Sequence, residues 1–154
     1  MDTLNIMKNI LFTLALLVCF NSFGQTEEKI QYYASGGIQF KVNYVDGKKH
    51  GEEIWYHENG VIMVKENYVD DVQQGERINY SDSGAIIAKA NYLDGMPHGK
   101  WTRYYESGAV EWEANYLYME TMGRSLAQGA IIWYYENGEI DMIENYKDGV
   151  LIED

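Results

Sequence analysis

Apolar and polar residues alternate along this chain in short runs, and the alternation restarts at a regular interval. In Gly51-Glu-Glu-Ile-Trp-Tyr-His-Glu-Asn-Gly60-Val-Ile-Met-Val-Lys-Glu-Asn-Tyr68, two runs rich in β-branched and aromatic residues flank Glu58-Asn59-Gly60. Strand-period patterning on both sides of a turn-forming cluster predicts a β-hairpin. Its loop length follows from which register gathers the apolar side chains on one face. A two-residue Asn-Gly loop sets Ile62 beside His57 and gathers the wrong set. A three-residue loop, with Gly60 in the left-handed region, pairs Tyr56 with Ile62 and Ile54 with Val64. By alternation it places Tyr68 on that same face, so the three-residue register is expected.

The hairpin returns five times, at Tyr32–Gly36, Tyr56–Gly60, Tyr80–Gly84, Tyr104–Gly108 and Tyr134–Gly138, with the glycines 24, 24, 24 and 30 residues apart. Each is followed by Asn-Tyr, as at Asn43-Tyr44, Asn67-Tyr68, Asn91-Tyr92, Asn115-Tyr116 and Asn145-Tyr146. Columns of equivalent residues are apolar apart from Thr102: Ile30, Ile54, Ile78, Thr102 and Ile132, then Ile38, Ile62, Ile86, Val110 and Ile140, then Phe40, Val64, Ala88, Trp112 and Met142. Ten of the 14 tyrosines fall in two columns, which makes tyrosine an architectural residue whose ring packs between units. Asp46-Gly47 and Asp94-Gly95, with Asp70-Asp71 as a variant, supply the turns between units, and Pro97 sits in one of them. A single unit buries too little apolar surface to offset its chain entropy, so the array forms as a whole. The fold class expected is all-β: five tandem β-hairpin repeats of about 24 residues forming an elongated, twisted antiparallel meander or solenoid.

The ends differ from the middle. Ile10–Phe20 is a continuous apolar run preceded by Lys8, and Ser22-Phe23-Gly24 offers small residues for cleavage after Gly24. That layout predicts a signal peptide over 1–24 and a repeat domain over 25–154, in a protein exported to the periplasm or the cell exterior. Cleavage would remove Cys19, the single cysteine, and with it any disulfide or thiol nucleophile. The net charge of −12 argues against nucleic acid and anionic membrane as partners, since both are polyanions. At the far end, the acidic tail Ile152-Glu153-Asp154 is expected to blunt the edge strand.

Catalytic chemistry has little to work with. His50 and His98 share a repeat column with Gln74 and Gln128, and His57 has no serine or cysteine nucleophile in a recognisable elbow. Glu52-Glu53 and Asp70-Asp71 are adjacent carboxylates, and since neighbours on a strand point to opposite faces they do not form an acid/base pair by themselves. No spacing of carboxylates matches a calcium loop, no glycine-rich phosphate loop precedes a helix, and no cofactor is implied. Asp46, Asp70 and Asp94 fall in stacked turns, where a clipped divalent ion is a minor alternative.

The stretch Asp94-Gly95-Met-Pro-His98-Gly99-Lys-Trp101-Thr-Arg-Tyr104-Tyr-Glu-Ser-Gly108 carries the pattern Asp-Gly-x-x-His-Gly-x-Trp-x-x-Tyr-x-x-x-Gly. It resembles the MORN-repeat variant family of bacteria, and the resemblance extends from about Ile30 to Gly149. What the resemblance implies is a hairpin-repeat fold and, for YwqK-type members described as antitoxin-like, a protein that binds and neutralises another protein.

Two departures from the repeat mark candidate contact sites. Tyr118–Gln128 replaces a short turn with a longer loop carrying Met119, Met122, Arg124 and Leu126, residue types suited to interfaces. In the expected register, Trp55, Trp101 and Trp133 point away from the tyrosine columns, amid Glu53, Lys65, Arg103 and Glu113. Indoles beside charges suit a protein interface or a sugar platform. The expected function is therefore a non-catalytic exported protein that binds a protein partner, a toxin or an envelope component. A carbohydrate-binding envelope module is the alternative.

Overall fold

The computed structural model describes residues 25–152, so the expected leader 1–24 lies outside the described residues, as do Glu153 and Asp154 of the tail. The strands are β1 (Thr26–Tyr32), β2 (Ile38–Val45), β3 (Lys48–Tyr56), β4 (Ile62–Val69), β5 (Val72–Gln73), β6 (Gly75–Tyr80) and β7 (Ile86–Leu93). They continue with β8 (Met96–Pro97), β9 (Gly99–Tyr104), β10 (Val110–Met119), β11 (Arg124–Ala127), β12 (Gly129–Tyr134), β13 (Ile140–Lys147) and β14 (Val150–Ile152). All belong to one open antiparallel sheet, ordered β1-β2-β3-β4-β6-β7-β9-β10-β12-β13-β14, with β5, β8 and β11 folding back on β4, β7 and β10. The five-hairpin meander expected from the repeat is the fold observed.

Turn chemistry explains the connections. At each hairpin tip a three-residue loop closes as expected: His57 N–H donates to Val61 O, Gly60 N–H to His57 O, and Gly60 takes φ +85°. The inter-unit turns put both central residues at positive φ, as in Asp46 (51°) and Gly47 (80°), the two-residue geometry whose twist matches the strands. Asp71, at φ 71°, occupies the place glycine holds elsewhere. Its carboxylate accepts the Lys49 N–H at 2.8 Å, and Asp46 accepts the Gln25 N–H at 3.0 Å. These aspartates therefore tie each turn to the preceding unit rather than bonding only their own bend.

The register departs from expectation one residue beyond each tip. Tyr56 faces Ile62 as predicted, but Trp55, not Ile54, faces Val64, because Met63 is extra on its strand. Gln39, Ile87, Glu111 and Asp141 are the equivalent extra residues in the other hairpins. A bulge of this kind inverts every side chain beyond it. Tyr56 and Ile54 thus share one face with Lys65, while Tyr68 lies on the opposite face with Trp55 and Val64. The two tyrosine columns occupy opposite faces, which corrects the single-face arrangement.

Among the described residues the sheet carries no second layer. Val42, Ala90, Ala114 and Leu126 are its buried apolar residues, and the remaining apolar side chains pack in rows along each face. Cohesion comes from the ladder and from side chains linking successive units. Tyr33 Oη donates to Tyr56 O and Tyr105 Oη to Tyr134 O (2.7 Å), while the His57 ring bonds Tyr80 O (3.1 Å).

Candidate interaction face

The bulges bring all four tryptophans to one face. Trp55 faces Phe40 across the strands with ring centroids 4.7 Å apart, and Trp101 packs at 5.7 Å on both Trp112 and Tyr116. Trp133 pairs with Trp112. Each of the four tryptophans is half-buried, with part of its surface open. Glu53 and Arg103 share this face, as expected. Lys65 and Glu113 do not: they lie on the other face, paired to Glu52 at 2.8 Å and Lys100 at 2.6 Å. There the Lys100 ammonium holds the Glu113 carboxyl below its usual range.

Between the ring-bearing strands lies a notch that sequence reading missed. Ala88 and Ala90 form its floor, with Arg77, Asn79, Tyr92 and Trp101 around it, enclosing ≈ 230 Å³. Neighbouring hairpins hold Val64 and Trp112 where Ala88 stands, so the small side chain opens the space. The signal was visible as the smallest member of an otherwise bulky column.

Beside the notch sits a charged cluster on the same face. Glu53 (2% exposed) and Glu66 (6% exposed) face each other across β3 and β4. Lys49 Nζ donates to both Glu53 oxygens at 2.9 Å, and Arg77 lies 3.4 Å from Glu66. Gln73 and the Tyr68 hydroxyl also donate to Glu66, at 2.9 and 3.2 Å. Burial foremost raises the Glu66 pKa, with the Glu53 charge adding and Arg77 opposing. Burial and the Glu66 charge also raise the Tyr68 phenol. Every buried polar side chain in the described residues has a partner, so this cluster reads as a satisfied network within the sheet.

The Tyr118–Gln128 segment is a hairpin extension rather than an irregular loop. β10 continues to Met119, a 3-10 turn spans Glu120–Met122, and Gly123 at φ 60° returns the chain as β11. Ser125 Oγ donates to Pro97 O, and His98 Nδ1 accepts the Tyr118 N–H at 3.3 Å, which docks the extension on the β8 turn. Leu126 is buried and packs against Gly149, whereas Met122 and Arg124 are exposed and Met119 is half-buried. The extension therefore offers Met122 and Arg124 to solvent, and the structure does not bring it onto the notch lining.

The histidines are tied into turns: His50 Nδ1 lies 3.5 Å from Asp70, and the other two bond backbone groups as above. Asp94 accepts from Gln74 at 2.8 Å, and no group of three or more potential metal ligands comes together among the described residues.

Comparison with known proteins agrees with this architecture. Residues 49–70, 97–118 and 127–148 match the MORN repeat variant. No curated protein matches the chain. Among solved structures, a chain of the GtfA/B complex bound to UDP and GlcNAc aligns at 13% identity and a TM-score of 0.34, over 61% of this chain and 22% of that one. The chain thus spans about a fifth of that structure's length, and so distant a likeness carries no argument. What the sheet and the matches establish together is a five-hairpin array in which three segments match the MORN repeat variant.

Proposed function

We propose that this is an exported, non-catalytic protein that binds another protein through the tryptophan face, as an envelope scaffold or an antitoxin-like neutraliser. The observation that carries the reading is the gathering of Trp55, Trp101, Trp112 and Trp133 on one side, half-open, beside an alanine-floored notch. Aromatic side chains with one arginine flank make the centre of many protein interfaces. MORN repeats typically mediate protein or membrane interactions and are generally non-catalytic, which supports the same class of function. The acidic balance disfavours an anionic lipid surface as the target. A glycan is the second reading, favoured by the placement of Asn79 and Arg77 beside the Trp101 ring in the notch.

The test is affinity capture from the native organism with the exported chain as bait. Trp55→Ala with Trp133→Ala, and separately Arg103→Glu, are expected to weaken capture of a specific protein at least about tenfold, as loss of a central anchor does. Lys89→Ala, on the opposite face, is expected to leave it unchanged. Equal capture by all variants, with matching circular dichroism, would move the site off this face. A glycan bound by wild type and lost with Trp101→Ala would favour the second reading.

A further inference from the structure

We propose that the last hairpin of one copy accepts the first strand of a second copy, so that chains add head to tail into a continuous sheet. The basis is how hairpins already join within the chain. At each of three junctions the outer edge of the preceding strand is covered twice. A short strand pairs its far end, as β5 does on β4, and the next hairpin's first strand pairs its middle. β4 meets β6 through Val64–Asn79 and Lys65–Ile78, β7 meets β9 through Ala88–Arg103 and Lys89–Thr102, and β10 meets β12 through Trp112–Trp133 and Glu113–Ile132.

On β13 only the first part of this arrangement is present among the described residues. β14 pairs Asn145–Lys147, and no other strand among the described residues pairs the outer edge of Ile140–Glu144. At the opposite end of the sheet, no strand among the described residues pairs the outer edge of β1. β1 is the strand type that every internal junction uses: Ile30 and Gln31 stand 24 residues before Ile54 and Trp55. Carrying the internal register across two copies sets Met142 opposite Gln31 and Ile143 opposite Ile30.

The side chains at the two ends of the sheet fit that occupant. Where the other hairpins hold Lys41, Lys65, Lys89 and Glu113, the last holds Ile143, an apolar residue 50% exposed. Its opposite number in the second copy, Ile30, is 37% exposed. The next pair along is Glu144 with Lys29, opposite charges at the position where Glu66 and Arg77 lie 3.4 Å apart inside the chain. Tyr135 stands where Tyr33, His57 and Tyr105 reach a carbonyl of the following hairpin, and it is 52% exposed. Backbone pairing plus one apolar and one charged pair supply a contact of the internal kind. Because the two surfaces differ, the association is heterologous and open-ended.

The experiment uses the full chain carrying Cys19→Ser. Sedimentation velocity is expected to show mean mass rising with concentration. Ile143→Lys restores the charge that other hairpins carry at a half-exposed position, and is expected to remain monomeric with unchanged circular dichroism. Glu144→Lys and Lys29→Glu are each expected to abolish growth alone, and to regain open-ended growth when mixed, because both kinds of junction between unlike chains then oppose a lysine to a glutamate. An Ile30→Cys chain mixed with an Ile143→Cys chain is expected to give a covalent heterodimer under mild oxidation, since directly opposed strand residues suit a disulfide. A wild type of single-chain mass throughout overturns the proposal. So does unaltered assembly of Ile143→Lys, which places the contact elsewhere, including residues 1–24. Cross-linking of Ile143→Cys chains with one another also overturns it, because the edge would then pair with itself.

Discussion

Removing the Lys49 ammonium tests whether the charged cluster on the tryptophan face is a stabilising network. Its Nζ donates to both oxygens of Glu53, whose side chain is only 3% exposed, at 2.9 Å. It also sits 4.7 Å over the Tyr68 ring. Lys49→Met keeps most of the aliphatic stem and leaves Glu53 facing Glu66 without its cation. Breaking a fully buried ion pair by deleting one partner costs about 3–5 kcal/mol. Two effects lower that here: Lys49 is 30% exposed, so solvent already screens it, and Glu66, whose pKa burial raises, can take up a proton. A loss of about 2–3 kcal/mol remains, which for a chain of this size lowers Tm by roughly 5–10 °C. Calorimetry at neutral pH measures it, with Lys49→Met/Glu53→Gln as the control that removes both charges and recovers most of the loss. A Tm unchanged by Lys49→Met, or a double variant no better than the single, would refute the network as a source of stability.

The remaining predictions concern the same framework. Glu66→Gln addresses pH: burial raises the folded pKa of Glu66, so its contribution is fully present below the unfolded value and is lost as pH rises through the folded one. Urea unfolding across that window is therefore expected to show Glu66→Gln gaining on wild type as pH rises, and parallel profiles would contradict the assigned burial effect. Gly149→Ala combines a φ of +77° with a Cβ placed 2.9 Å from Leu126 Cδ2. The left-handed conformation alone costs about 1–2 kcal/mol, so a Tm drop of several degrees is expected, against little change for Gly123→Asn, where φ is 60° and nothing lies within 4 Å.

The sequence by itself determined the unit, its number and its turns. Tyr-x-x-x-Gly and Asp-Gly recur because left-handed backbone positions admit few residues, so the chemistry of each bend is written locally. That was enough to place the three-residue tips, to pair Tyr56 with Ile62, and to predict a meander without a recognisable catalytic constellation. Only the tertiary structure decided which face each side chain takes. The bulge at Met63 and its equivalents uses ordinary residues rather than glycine, so nothing in the sequence marks it, yet it moves Trp55 beside Val64 and separates the two tyrosine columns. The same inversion brings Glu53 to Glu66, and sets Trp101 over the alanine notch. Lys65 and Glu113 pass to the far side for the same reason. The Tyr118–Gln128 insertion showed its length in the sequence, but its pairing depended on contacts with Pro97, His98 and Gly149 that are distant along the chain. Short-range conformational preference fixes turns; the faces of a sheet depend on the sum of every residue between them, and a single extra one reverses the result.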